Sequence, residues 1–485
     1  MNATGREVDV DDRTALLREV AERAIEYLDG VDARPVGRPI EVARLRSGLG
    51  SPLPDAGMDS ATVLRDLVGA AEPGLVASAG PRYFGFVIGG SLPSALAADW
   101  LTSAWDQNAA MYVVSPAAAV VEDIVAGWLV DLFGLPTGTS IGLTTGATMA
   151  NFTALAAARH ALLQRDDWDV ERQGLFGAPE IPVVVGDEAH VTIHVALQML
   201  GLGRERVHRV QADEQGRMRP DALREVLSGL DRPAIVCAQA GNVNTGGFDP
   251  LGPIADAVMA NGGWLHVDGA FGLWAAASAA LRGHLVGLED ADSWTTDAHK
   301  WLNVPYDCGI VAVRDAAAHH AAMTLGAAYY VETAGAERDP YNWVAESSRR
   351  ARGFTVYAAL RTLGRSGLAE LIERCSAMAR RFAERLAAEP GVRILNDVVL
   401  NQVLVRFESG GGDAAADDEL TRNVVAAVQR DGTCWMGGTT WHGKAAMRIS
   451  VSNWSTTDDD VDASVEAILR CAAEVGGLPA ATATR

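Results

Sequence analysis

From about residue 81 to 370, short apolar runs of β-type composition alternate with windows of helical periodicity. The runs are Ile141–Thr145, Ile181–Val185, Val207–Val210, Ala234–Gln239, Trp264–Val267, Ser293–Thr296 and Gly309–Val313. The helical windows between them include Thr148–Leu163, His190–Leu200, Pro220–Leu230 and Pro250–Asn261. Strands that are apolar on both faces and separated by helices predict an α/β fold, a mostly parallel sheet covered on both sides. In such sheets ligands bind in the loops beyond the strand C-termini, so chemistry is to be sought where each run ends.

The flanking segments read differently. Residues 1–80 carry helical signals (Thr14–Leu28, Ala61–Ala71) between Pro- and Gly-rich breaks, predicting an N-terminal helical segment that packs on something larger. Residues 81–370 form the large domain. Residues 371–485 predict an α+β C-terminal domain: a helix over Gly367–Ala388, strands near Asn401–Phe407 and Met447–Val451, and a helix over Thr457–Val475. Glu408–Glu419, acidic and Gly-rich, predicts a solvated loop within it. A chain of 485 residues exceeds what one core supports, which agrees with this division.

Charge narrows the partners. The formal net charge is −21 and the pI about 4.9. Nucleic acid needs a basic face and an anionic membrane needs basic segments, so neither partner is expected. Ala270–Leu281, the longest apolar stretch, is too short to span a bilayer, and the N-terminus shows no signal-peptide pattern. The five cysteines, odd in number and without CxxC spacing, predict neither disulfides nor a metal site, and fit a reducing cytoplasm.

Four clusters fall at predicted strand ends. Thr144-Thr145-Gly146-Ala147-Thr148 opens a helix, where free amides and a hydroxyl can hold a phosphate; a capped helix, with Thr148 as the cap, is the plainer reading. Asp187-Glu188-Ala189-His190 places a histidine that can stack, act as acid or base, or serve as a structural hydrogen-bonding group. His266-Val267-Asp268-Gly269-Ala270 places a carboxylate that needs a cationic partner if buried, a protonated heterocycle or an arginine. Asp297-Ala298-His299-Lys300-Trp301 carries one of only two lysines in the chain, against 39 arginines. Arginine can replace a lysine that is only a charge, but not one whose amine must act as a nucleophile. The other lysine, Lys444, lies between Gly443 and Ala445 and reads as a surface charge.

A phosphate cradle, a stacking histidine, a ring-nitrogen carboxylate and an aldehyde-capturing amine are the parts needed to hold pyridoxal 5'-phosphate. In order and spacing, from about Pro81 to Asp459, they resemble the group II pyridoxal-phosphate-dependent decarboxylases, the family of aromatic-amino-acid, glutamate, histidine and diaminobutyrate decarboxylases. The resemblance implies a fold type I enzyme, aspartate aminotransferase-like. It also implies a homodimer with active sites at the interface, and loss of the α-carboxylate of an amino acid through a Schiff base and a quinonoid. By the same resemblance Lys300 is the Schiff-base lysine and Asp268 the partner of the ring nitrogen. Ala270 lies against the ring and His190 stacks on its other face. Ala147 and Thr148 form the phosphate turn, and His299 stands near phosphate and substrate. Tyr341, in the segment Ala334–Trp343, is the nearest match to the loop tyrosine that returns a proton, one position later than in the aromatic-amino-acid members.

Other departures bear on substrate and outcome. Asn242 or Asn244 stands where the family has a hydroxyl near the ring oxygen. Tyr83–Gly90 lacks the polar residues of the aromatic-amino-acid members. Arg448 is family-like and is expected to make a structural salt bridge. Two other outcomes share the same site, an aldehyde-forming decarboxylase-deaminase and another lyase or aminotransferase. A nicotinamide oxidoreductase would need GxGxxG after the first strand, which Ile141–Thr148 does not supply. A binding protein would have no need to keep Lys300, Asp268 and His190 together.

Overall fold

The computed structural model describes residues 10–37, 39–324 and 337–476. Three helices come first: α1 (Val10–Asp29), α2 (Val42–Leu49) and α3 (Ser60–Ala71). After them α4 (Pro93–Trp105) and α5 (Pro116–Phe133) lead into the alternating region. That region comprises β1 (Ser140–Thr144), α6 (Ala147–Gln164), α7 (Val170–Gln173), β2 (Val183–Gly186), α8 (Val191–Met199), β3 (Val207–Val210), α9 (Pro220–Ser228), β4 (Ile235–Gln239), α10 (Leu251–Asn261), β5 (Trp264–Asp268), β6 (Ser293–Asp297), β7 (Gly309–Val313) and α11 (Ala316–Met323).

The seven strands form one sheet in the order β1-β7-β6-β5-β4-β2-β3. β7 is antiparallel to both β6 and β1, while the pairs from β6 across to β3 are parallel. The sheet is therefore mostly parallel. Successive strand residues alternate between two cores. Val184, Val236, Leu265, Val267 and Trp294 pack with α5, α10 and the long helix described below. Val183, Val185, Ile235 and Cys237 pack with α6 and α8. Each such side chain, fully out of water, contributes about 1.5–3 kcal/mol.

Helix α12 (Gly353–Ala387) leaves helical geometry at Gly364, where φ is 59°. The predicted helix from Gly367 is the part beyond that kink. A second sheet, β10-β11-β9-β8, follows: β8 (Val392–Ile394), β9 (Gln402–Phe407), β10 (Gly437–Trp441) and β11 (Lys444–Ser450). All its pairings are antiparallel. Helices α13 (Ala414–Asp431) and α14 (Asp458–Glu474) pack against this region.

One expectation fails here. The predicted loop Glu408–Glu419 ends at Asp413, whose side chain caps α13. Asp417 lies in the first turn of that helix, largely buried, and accepts from the Ser409 amide and hydroxyl. Acidic residues are stabilising at a helix N-terminus, so the charge marked a helix start rather than a solvated loop. Lys444 is exposed at the start of β11, as expected. The five cysteines are buried free thiols. Among the described residues no helix is long and apolar enough to cross a membrane.

Candidate active site

Four chemical segments meet at the C-terminal edge of the large sheet because each follows the last residue of a strand. β1 ends at Thr144 and turns through Gly146 into α6. β2 ends at Gly186, four residues before His190. β5 ends on Asp268, and β6 ends on Asp297, three before Lys300. β7 separates β1 from β6. Its first residue, Gly309, lies so close to the turn that an added Cβ would stand 2.5 Å from the Gly146 backbone.

Asp297 holds this region together. One oxygen accepts from the Ala147 amide at 2.6 Å, and the other is 3.1 Å from Lys300 Nζ and 3.7 Å from His299 Nε2. Its carboxylate is almost fully buried, so the Lys300 cation beside it compensates a charge that would otherwise be costly. Sequence reasoning gave Asp297 no role; its spacing of three before the lysine was the available signal. The Lys300 backbone is braced from the other side by Gly89, where a Cβ would stand 1.9 Å from the Lys300 carbonyl oxygen.

Helix α6 has no side-chain cap, and its N-cap residue is Gly146. The capped-helix reading of Thr148 therefore fails; the Ala147 amide is taken by Asp297, and the first-turn amides after it remain available to an anion. Asp268 is buried; its Oδ1 accepts from the Ala270 amide at 3.1 Å and its Oδ2 from Asn151 Nδ2 at 3.3 Å. His190 caps α8, with Nδ1 2.8 Å from Thr192 Oγ1. Burial lowers the His190 pKa; Lys300 and Arg448 push the same way, while Asp268 and Asp297 oppose them. His190 thus lies within electrostatic reach of all four charged groups. Burial likewise lowers the His299 pKa, against the pull of Asp297. The His299 ring stacks on Tyr306 at 4.3 Å.

The expected salt bridge of Arg448 is absent: among the described residues no carboxylate pairs with it, and burial alone lowers its pKa. Asn242 and Asn244 serve structure. Asn242 Oδ1 accepts from the amides of Asn244 and Thr245, and Asn244 Oδ1 accepts from Thr439. Tyr341 lies on the turn Pro340–Trp343, which packs on β1 and α11; it is buried and its amide donates to the Ala110 carbonyl. The first residues of its predicted loop, Ala334–Ala336, lie outside the described residues. Asn151 and His266, both fully buried beneath Asp268, were also missed.

Pyridoxal phosphate fits these residues. An uncapped helix start, an amine, a buried carboxylate with one oxygen edge uncommitted to any cation, and a neutral imidazole answer its phosphate, aldehyde, ring nitrogen and ring face.

Comparison with known proteins agrees. The pyridoxal-dependent decarboxylase conserved domain matches residues 44–408. Tryptophan decarboxylase 1 of Oryza sativa subsp. japonica is 26% identical over 97% of this chain and 96% of its own length. L-2,4-diaminobutyrate decarboxylase of Rhizobium meliloti (strain 1021) is 31% identical over 87% of this chain and 84% of its own. The crystal structure of Oryza sativa TDC with PLP and tryptamine superposes with a TM-score of 0.89 at 25% identity, covering 97% of this chain and 99% of that one. The chain belongs to the pyridoxal-dependent decarboxylase family, as an amino-acid carboxy-lyase with pyridoxal phosphate as its cofactor.

Proposed function

We propose that Lys300 is the residue that carries the cofactor and that the site around it removes the α-carboxylate of an amino acid. The observation behind this assignment is that Lys300 Nζ lies 3.1 Å from one oxygen of Asp297 while the other accepts from the first amide of α6 at 2.6 Å, so the amine and the phosphate turn share one buried carboxylate. When bound, pyridoxal phosphate supplies an aldehyde that captures amines and a protonated ring that accepts the electron pair left at Cα as carbon dioxide departs.

The chain's residues do the rest. With the cofactor bound, Lys300 Nζ would be the amine that holds its aldehyde, and Asp297, 3.1 Å from that nitrogen, would orient it and take up or return its proton. The Thr148 hydroxyl and the first-turn amides of α6 after Ala147, whose own amide bonds Asp297, would hold the phosphate. Asp268 holds the ring-nitrogen proton, and Ala270, whose amide bonds the same carboxylate, is small enough to let the ring lie against it. His190 covers the opposite face as a neutral imidazole, which suits a cationic ring better than an imidazolium would. Arg448, desolvated and without a carboxylate partner among the described residues, would receive a carboxylate of the substrate. His299, or Tyr341 from its turn, returns the proton to Cα.

Tyr306 stacked on His299, together with the Tyr83–Trp435–Phe86 rings at 5.0 and 5.4 Å, supports an apolar or aromatic substrate side chain. Exposed Trp100, Leu101, Trp105, Val120 and Ile124 on α4 and α5, with Leu17, Val20 and Ile25 on α1, support a homodimer. The five free thiols suit a cytoplasmic enzyme. We assign 1–80, 81–370 and 371–485 as the N-terminal segment, large domain and C-terminal domain. An amino-acid panel read for carbon dioxide, amine, aldehyde and peroxide tests the reaction. Amine and carbon dioxide in equal amounts, best with aromatic substrates, support it; turnover without carbon dioxide contradicts it.

A further inference from the structure

Beneath Asp268 lies a polar network that the proposed reaction does not itself use. Asn151, in a helix otherwise rich in alanine, is fully buried and makes four side-chain hydrogen bonds. Its Nδ2 faces Asp268 Oδ2 at 3.3 Å and Thr192 Oγ1 at 3.3 Å. Its Oδ1 faces His266 Nε2 at 3.0 Å and Thr295 Oγ1 at 2.7 Å. An amide has two donor hydrogens and two acceptor lone pairs, so Asn151 is saturated. His266 is also fully buried; its Nδ1 lies 2.9 Å from Ser293 Oγ, which accepts from Trp264 Nε1 at 2.9 Å.

The ends of this chain fix every proton in it. Trp264 Nε1 can only donate and an ionised Asp268 can only accept. Asp268 therefore requires the amide nitrogen of Asn151 on its side, which turns Oδ1 toward His266 and Thr295. His266 Nε2 must then carry hydrogen. Burial holds His266 neutral, its pKa near 4, so Nδ1 is bare and accepts from the Ser293 hydroxyl. A side branch is fixed in the same way. His190 Nδ1 already accepts from the Thr192 amide at 3.4 Å, so it is bare and takes the hydrogen of Thr192 Oγ1 at 2.8 Å, leaving the His190 proton on Nε2, while Thr192 Oγ1 accepts from Asn151.

We infer that Asn151 and His266 are positioning residues that, from one buried hub, keep a hydrogen-bond donor facing Asp268 and keep the Thr192 hydroxyl turned to His190 Nδ1. The inference rests on the assignment of Asp268 and His190 to the two sides of the cofactor ring. If His266 lost its Nε2 hydrogen, Asn151 could turn its carbonyl toward Asp268, setting two acceptors against each other where the ring-nitrogen proton must be held. One histidine thus couples the groups on either side of the ring, although it touches neither.

Nitrogen NMR of the full-length protein labelled at its ten histidines tests this in the wild type. The signal lost in His266→Gln should be a neutral imidazole with hydrogen on Nε2, unchanged from pH 8 to pH 5. Hydrogen on Nδ1, or an imidazolium in that range, overturns the inference. In the variants, His266→Phe removes the donor to Asn151, whereas His266→Gln keeps one. The first should hold pyridoxal phosphate about tenfold more weakly and shift the pH dependence of the cofactor absorption, and the second should restore both. Wild-type affinity and pH profile in His266→Phe overturn it as well. If His266→Phe does not fold, the wild-type tautomer decides. That measurement does not depend on where the cofactor is attached, so failure of the Lys300 assignment would be seen separately, as a pyridoxyl group on another residue.

Discussion

Gly309 offers a sharp test of how the site is built. It opens β7, paired with Thr144 at the end of β1 and with Asp297 at the end of β6. It thus sits between the phosphate turn and the lysine turn. A Cβ there would stand 2.5 Å from Gly146 C and Cα and 2.7 Å from Thr144 Oγ1, whereas ordinary contact begins at 3.4 Å. Gly309→Ala must push the phosphate turn from the sheet by about 1 Å, the difference between these distances. Gly309 does not occupy the left-handed region, so alanine brings no backbone penalty of its own. Without the clash the substitution would stabilise by about 0.4–1 kcal/mol through the unfolded chain. Overpacking reverses the sign, to a loss of about 1–3 kcal/mol. A misplacement of about 1 Å costs on the order of 100-fold in function, so affinity for pyridoxal phosphate should fall by roughly that factor. The assay is titration of the stripped protein with pyridoxal phosphate, followed by absorbance, beside thermal unfolding without cofactor. Gly437→Ala is the control, since nothing lies within 4 Å of its Cβ. If Gly309→Ala binds cofactor as the wild type does and unfolds at a higher temperature, the close packing of turn against strand is not what shapes the site.

Three further outcomes follow from other parts of the structure. Glu122 and Arg349, each 1% exposed, pair at 2.9 and 3.1 Å; Glu122→Leu strands a buried cation and should cost about 3–5 kcal/mol, while Glu122→Leu with Arg349→Met should cost less, as read from unfolding midpoints, and a harmless single substitution contradicts this. The folded pKa of His266, about 4, lies below its ordinary 6.5, so stability is full above 6.5 and is lost as pH falls toward 4, on the order of 3 kcal/mol. Asp249, raised to about 6 by burial, acts in the opposite sense over part of that range, so the comparison is with His266→Gln, whose acid limb should be shallower; equal limbs contradict the assignment. Tyr341→Phe should divert product from amine to aldehyde with peroxide if Tyr341 returns the proton, measured as the product ratio, and an unchanged ratio leaves that task to His299.

The sheet was legible because most of its strands are buried on both faces and appear as apolar runs between turn residues; β3, with His208 and Arg209 exposed, and the polar β6 are the exceptions. The four chemical turns were legible because each directly follows such a run. Other features depend on contacts that sequence spacing hides. Asn151 meets His266, Asp268 and Thr295 across separations of 115, 117 and 144 residues, and in sequence it is one polar residue in an alanine-rich helix. Arg448 looked like half of a salt bridge, but a lone arginine in the sequence does not reveal that, among the described residues, no carboxylate pairs with it. The start of α13 was misread because acidity signals both a solvated loop and a helix N-terminus, and only the Asp413 cap separates the two. The β10–β11 hairpin was missed as well; His442 and Gly443, at φ of 47° and 77°, make its two-residue turn, and histidine is not among the residues that usually announce one.

The central claim is that Lys300 carries the cofactor. Borohydride reduction of the purified protein, followed by proteolysis and peptide mass analysis, tests it directly, because the chain has only one other lysine. The account predicts a pyridoxyl group on Lys300 and none on Lys444. A pyridoxyl group on Lys444, or on neither lysine of a protein that has bound its cofactor, would contradict it.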